Sequence, residues 1–413
     1  MSDSNRVEFA NSLRGIASLC VLVAHYFGMF WLGREVVGVI IFATPLPAEI
    51  PAPSFVYWLH SSILFNWGSF GVALFFLISG FVIPFSLENG TGPAFAINRF
   101  LRIIPTYIVG FTLTLCALWL SSRYWAQPWP LSLSEVVIHY VPGLRDLLWS
   151  RNIDYVVWTL EIEVRFYLLC GLAAAWFRGG SRKVFLIPAT LTVSGLLCNG
   201  YGPLAPQHGQ AVFNFSSSAM YLTFMFIGTV FHYLHKGRLR PQDAIFGICA
   251  LFAAFCVMWQ TGPTAASSHV AWSYGFALFS FSFANAYPSV FRSNPVLVFF
   301  ADISYPLYVV HGVAGYVVLR IFLDLGLPSW LALTFGTSLA IGVAWGLHQL
   351  VEAPSNDLGK RLGRHVTEHG LTVDAGQLQN AIDAVRSSRF ATATLAVRSW
   401  KSKPRRRGRR PDL

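Results

Sequence analysis

The feature that most limits what this chain can become is a recurrence of apolar stretches, each about 20 residues long, from near the N-terminus to about residue 350. A bilayer's hydrocarbon core is about 30 Å thick, which about 20 helical residues cross. Stretches at 13–33, 60–84, 103–121, 155–177, 184–200, 218–234, 244–260, 270–287, 297–322 and 329–351 predict an all-α, polytopic membrane protein with about ten spanning helices. Helices are required because lipid offers no partner to backbone N–H and C=O groups, and these runs are too long and too continuously apolar for barrel strands. A content of 54% hydrophobic against 12% charged residues does not suit a water-facing surface either.

Basic residues concentrate in cytosolic loops, so their distribution orients the spans. Alternate loops carry Arg99 and Arg102, then Arg178, Arg182 and Lys183, then Lys236, Arg238 and Arg240, then Arg292. The intervening segments 201–217 and 261–269 carry no Lys or Arg, whereas 122–154, also expected outside, holds Arg123, Arg145 and Arg151. This pattern places both termini in the cytosol. The net charge of +11 is mostly terminal: residues 360–413 hold 13 Lys or Arg against 4 Asp or Glu, which leaves only +2 for the rest. Such a tail is attracted to anionic membrane lipid, and the charge is therefore not a nucleic-acid signature. Residues 1–355 read as one membrane domain and 356–413 as a basic cytosolic tail, partly helical near 377–389 and either regulatory, anchoring or dispensable. The outer segments 44–54 and 122–154, rich in Pro, Trp and polar residues, are where an acceptor would be met. The six cysteines fall within or at the edges of the spans as small packing residues, and nothing has metal-ligand spacing, so no metal is expected.

Ionisable groups inside spans are costly and mark functional sites. Arg14 and His25 are eleven residues apart in the first span, nearly three turns, so they share a face about 16 Å apart along the axis. The bland alternatives are a snorkelling arginine and a buried, hydrogen-bonded histidine. The fourth span holds Trp158-Thr159-Leu160-Glu161-Ile162-Glu163-Val164-Arg165-Phe166-Tyr167. There Glu161 and Arg165 are spaced as an i, i+4 ion pair, leaving Glu163 without a local partner at about the depth of His25. In the ninth span Ser304, Tyr308 and His311 fall on one face, either as part of a site or as hydrogen bonds between helices.

Five segments in order resemble the acyltransferase-3 family of integral membrane acyltransferases, which O-acetylate surface polysaccharides and related glycans. They are Asn11-Ser12-Leu13-Arg14-Gly15-Ile16-Ala17 through His25, Gly71 to Phe81, Arg99 to Pro105, Trp158 to Tyr167, and Ser304 to His311 followed by Val351-Glu352-Ala353-Pro354. The resemblance covers about residues 8–355 and departs from the shared pattern at Glu161 and Arg165, positions usually small or polar, and in the tail. It implies acyl transfer, most simply acetyl, from cytosolic acyl-CoA to a glycan hydroxyl across the bacterial inner membrane. Arg14, Arg99 and Arg102 would then hold the CoA phosphates. His25 would act as general base, Glu163 would fix its tautomer or stabilise its imidazolium, and His311 would be a further catalytic candidate. The competing reading is a transporter of an acyl donor or glycan lipid that does no chemistry, and the absence of internal repeats counts against it. A partner-recruiting membrane subunit is a third.

Overall fold

A computed structural model describes residues 3–369 except Ile63, Asn89, Ala205 and Ser293, and excepting the side chains of residues 3–7, Pro206, Ser268 and His369. The expected helix at 377–389 and the basic run 401–410 lie outside the described residues. The principal helices are α1 (Asp3–Ala24), α2 (Trp67–Glu88), α3 (Gly92–Tyr124), α4 (Val157–Leu172), α5 (Leu186–Tyr201), α6 (Gly209–His235), α7 (Pro241–Thr261), α8 (Ala271–Ala286), α9 (Ser304–Val310), α10 (Val313–Asp324), α11 (Ser329–Leu347) and α12 (Ala353–His369). No strand occurs among the described residues.

Among the described residues seven helices are long and apolar enough to cross a bilayer, and α9 with α10 makes an eighth if the bent pair is one span. The two remaining expected spans are occupied by α4 and α8, of 16 residues each, which reach about 24 Å and fall short of a full hydrocarbon core. A count of ten is therefore not confirmed. Helix ends also differ from the apolar runs. The third run was expected at 103–121, but α3 begins eleven residues earlier, where Thr91 caps it by accepting a 3.3 Å hydrogen bond from Ala94 N–H and Pro93 sits in its first turn. Hydropathy locates the part of a helix in lipid, not its polar extension.

Central α2 packs against α1, α6, α8 and α4. Gly80 and Gly228 let α2 and α6 touch backbone to backbone, so a Cβ on either would strike the facing main chain, and Thr229 Oγ1 donates to Gly80 O at 3.1 Å. Small residues are what allow such an approach where lipid tails are as apolar as leucine. On the outward faces Ile245, Phe246 and Phe279 are exposed, as side chains that meet hydrocarbon should be. α12 crosses the expected boundary at 355 and packs on α3, with Gly359 and Gly363 against Asn98.

Three departures from regular helix bear on the site. The chain leaves α1 through a π-turn, His25–Met29; α9 and α10 meet at 60°, with His311 and Gly312 at the break; and a second π-turn, His348–Glu352, joins α11 to α12. Such turns cost regular hydrogen bonding and recur at functional sites.

Candidate functional site

Arg14, Arg102, Glu163, Ser79, Tyr167 and Tyr305 line a cavity of about 70 Å³ between α1, α2, α3, α4 and α9, with Phe75 and Phe76 among its apolar walls. Among the described residues neither Arg14 nor Arg102 makes a hydrogen bond or ion pair with another side chain. Glu163 Oε1 accepts a hydrogen bond from Ser79 Oγ at 2.8 Å and another from the Tyr167 hydroxyl one turn on. Glu352, paired at 2.7 Å with His348, adds its field to that of Glu163 at Arg14. Arg99 does not reach the cavity wall. Its guanidinium donates to Ser86 Oγ at 2.9 Å and lies 5.5 Å from the ring centres of both Phe95 and Tyr167, a cation–π seat behind the cavity. Three guanidiniums against two carboxylates leave this layer net positive.

Further along α1 stands a second layer. His25 Nδ1 is 2.5 Å from the Tyr316 hydroxyl, and its ring meets His311 edge to face with centroids 4.7 Å apart. His311 lies at the α9–α10 break and is 1% exposed. Its Nδ1 is 2.8 Å from Leu307 O and 3.0 Å from Tyr308 O, so it must carry the proton and donate. That leaves Nε2 of the neutral ring with its lone pair, without a partner among the described residues. Tyr308 bridges toward α4, 2.5 Å from Thr159 Oγ1 and donating to Val156 O at 3.2 Å, while Ser304 Oγ turns back to Ala301 O at 2.8 Å. Those two residues therefore serve helix contacts as well as the cavity wall.

Two expectations are overturned. Glu163 does not partner His25: its carboxylate belongs to the arginine layer, whereas His311 and Gly312 are level with the N-terminal end of α4, where Val156 Cγ1 comes within 3.0 Å of a Cβ position on Gly312. Depth counted from the assumed span ends puts the two residues level, but α1 begins at Asp3, ten residues before the apolar run at 13, so those ends are not the ends of the helices. Nor do Glu161 and Arg165 pair with each other. Glu161, fully buried, binds Arg145 through both oxygens, one at 3.1 Å to Nε; Arg145 binds Asp146 at 2.6 Å; and Asp146 binds Arg165 at 2.7 Å. The short helix Leu144–Leu147 supplies the middle of this ladder, and a bidentate guanidinium–carboxylate contact outcompetes an i, i+4 pair along one helix.

Sequence reasoning missed Tyr316, Ser79 and Tyr167 as partners of the candidate residues. The available signal was the i, i+4 spacing of Glu163 and Tyr167. It also missed a buried group at the N-terminal end of α4, where Asp154 accepts from Val157 N–H at 2.9 Å and lies 3.5 Å from His139 Nε2, with the Tyr107 hydroxyl donating to it at 3.3 Å.

A family model described as an acyltransferase domain matches residues 7–349. An O-acetyl transferase of Shigella phage Sf6 is 21% identical over 336 residues, spanning 72% of this chain and 93% of the phage protein. No solved structure matches. The match spans both layers of polar residues and all but the last turns of the helical bundle, and the chain belongs to the acyltransferase-3 family.

Proposed function

We propose that the protein moves an acyl group, most simply acetyl, from acyl-CoA to a glycan hydroxyl, using the two layers of polar residues in succession. The observation that carries this reading is their arrangement on α1: Arg14 on a cavity with unpartnered guanidiniums, and His25 farther along against His311 and Tyr316. Arg14 and Arg102, with Arg99 behind them, supply the excess positive charge that the phosphates of CoA require, and guanidinium forks suit phosphate geometry. Glu163, held by Ser79 and Tyr167, offsets part of that charge.

In the tautomer that donates its Nδ1–H to Tyr316, His25 offers Nε2 to the incoming hydroxyl. The hydroxyl oxygen attacks the thioester carbonyl, a C–O bond forms, and the C–S bond breaks. The proton passes from hydroxyl to His25 and on to the departing thiolate. His311, locked by its bonds to two carbonyls, holds the His25 ring edge-on. The family relationship and the distant O-acetyl transferase support the transfer of an acyl group; the charged layer supports a CoA thioester as donor.

The test is incorporation of labelled acetyl from acetyl-CoA into glycan by purified protein in vesicles that carry the producing cell's surface glycan. Label in the glycan that is released by mild alkali is expected. Label that crosses the membrane as intact donor, with none in the glycan, would overturn the reading in favour of transport.

A further inference from the structure

A cleft of about 300 Å³ on the other side of α4 has no part in the chemistry above, and the geometry points to it as the seat of a neutral sugar unit of the acceptor glycan. This inference rests on the acyl-transfer reading for its biological sense, but not for its test. The cleft opens among Asn152, Trp158, Gln210, Asn214, Ser217 and Tyr221, with Thr264 at its rim. Gln210, Asn214 and Thr264 belong to the segments 201–217 and 261–269 that carry no Lys or Arg, the end of the bundle read as outside.

Its chemistry excludes the other ligand classes. The Trp158 and Tyr221 rings, 5.3 Å apart and tilted by 45°, form an apolar wall; opposite it Gln210 Nε2 donates to Asn214 Oδ1 at 2.9 Å and Asn214 Nδ2 to Asp146 O at 3.3 Å, a paired amide edge, and Ser217 Oγ has no hydrogen-bond partner among the described residues. A lipid chain would leave the Ser217 hydroxyl unsatisfied and lay hydrocarbon against the amide edge. The charges at the cleft, Arg145, Asp146 and Arg165, are closed on one another and on Glu161, two positive against two negative. No uncompensated cation remains for a phosphate or a uronic carboxylate. What fits is a hydroxyl-rich, uncharged ring with one C–H face for the aromatic wall and an edge of hydroxyls for the amides.

The cleft is also placed for delivery. Along α4, Trp158, Ile162 and Arg165 face it while Thr159, Glu163 and Tyr167 face the donor cavity, so one helix separates the two. That helix begins at Val157; Val156, just before it, packs on Gly312 beside His311, and Asn152 lies four residues earlier. A glycan held in the cleft thus reaches the histidine layer over the outer end of α4. Where this chain departs from the family pattern, Arg165 lines the cleft and buried Glu161 holds Arg145 at its edge.

The experiment presents full-length protein in lipid nanodiscs to an array of neutral, uronic-acid-containing and phosphorylated bacterial oligosaccharides. Binding to neutral members at least 10-fold tighter than to acidic ones is expected, with Trp158→Ala and Gln210→Ala each weakening it 10-fold or more while acetyl-CoA binding is unchanged. A preference for acidic glycans, no glycan bound at millimolar concentration, or neutral binding undiminished in both variants would overturn the assignment. The two readings fail separately. Glycan binding without any acetyl transfer would remove the transferase reading and keep the cleft; transfer at an unaltered acceptor KM in both variants would do the reverse.

Discussion

His25 Nδ1 lies 2.5 Å from the hydroxyl of Tyr316, a residue that follows His311 by five positions and belongs to the helix beyond the break. The contact fixes the ring about its free axis and makes the role of Nε2 testable. His25→Ala is expected to lower kcat by about 10²-fold or more with acyl-CoA affinity retained, the signature of a lost proton acceptor. Tyr316→Phe, which keeps the ring and its 3% exposure, should lower kcat by about 10-fold and leave donor KM unchanged. Stopped-flow measurement of turnover and donor binding on reconstituted protein separates the two effects, and a Tyr316→Phe enzyme of normal kcat would show that the contact is only packing.

Arg14 and Arg102 should fail in the opposite way. Each presents a guanidinium to the cavity without a protein partner, and a charge-assisted hydrogen bond to a donor phosphate contributes about 1.5–3 kcal/mol. Arg14→Ala and Arg102→Ala are therefore expected to weaken CoA binding by about 10-fold or more each. Arg99→Ala, whose guanidinium is tied to Ser86 and two rings, should disturb stability more than affinity. Equilibrium binding of CoA to the three variants distinguishes these outcomes, and unchanged affinity in both Arg14→Ala and Arg102→Ala would remove the donor from this cavity.

Much of this arrangement was legible in the sequence because charge in lipid is expensive. Arg14, His25 and Glu163 stood out for that reason alone. Tyr316 did not, since a phenol in an apolar run looks like any lipid-compatible residue, and the stripe of Ser304, Tyr308 and His311 assumed a helix that in fact breaks at His311 and Gly312. The partner of Glu161 was equally hidden. Local spacing offers Arg165, but an exposed i, i+4 pair contributes only about 0.2–0.5 kcal/mol, and a bidentate arginine brought in by a separate segment easily displaces it. Arg99 and Arg102 carry the same weight in sequence, and only three-dimensional packing turns one behind the cavity and the other into it.

The ladder Glu161–Arg145–Asp146–Arg165 makes its own prediction. Glu161 is fully buried, so Glu161→Ala strands part of Arg145's charge, and removing one partner of a buried pair costs about 3–5 kcal/mol. Asp146 still holds Arg145, which should bring the loss toward the lower end of that range. Arg165→Ala, at the half-exposed end of the ladder, should cost less. Thermal unfolding in detergent that ranks Arg165→Ala as the more damaging change would contradict the ladder as described.

The last prediction concerns where the membrane domain ends. A basic tail beginning at 356 suggested that everything after about Gly363 is dispensable for transfer. α12 alters that expectation, because it continues to His369, buries Val366 and lays Gly359 and Gly363 against Asn98, one residue before Arg99 and four before Arg102. Any side chain at Gly363 would strike the Asn98 amide, so α12 supports the segment of α3 that carries Arg99 and Arg102. A chain ended after His369 keeps this contact and loses residues 370–413, whose basic run is expected to serve attachment to anionic lipid and not the site. It should insert and transfer acetyl at near-normal kcat. A chain ended after Glu352 should insert but bind acyl-CoA at least 10-fold more weakly. Gly363→Leu in the full-length chain probes the same contact without truncation and should weaken donor binding in the same direction. Equal donor affinity in all three proteins would show that α12 leaves the arginines as they are.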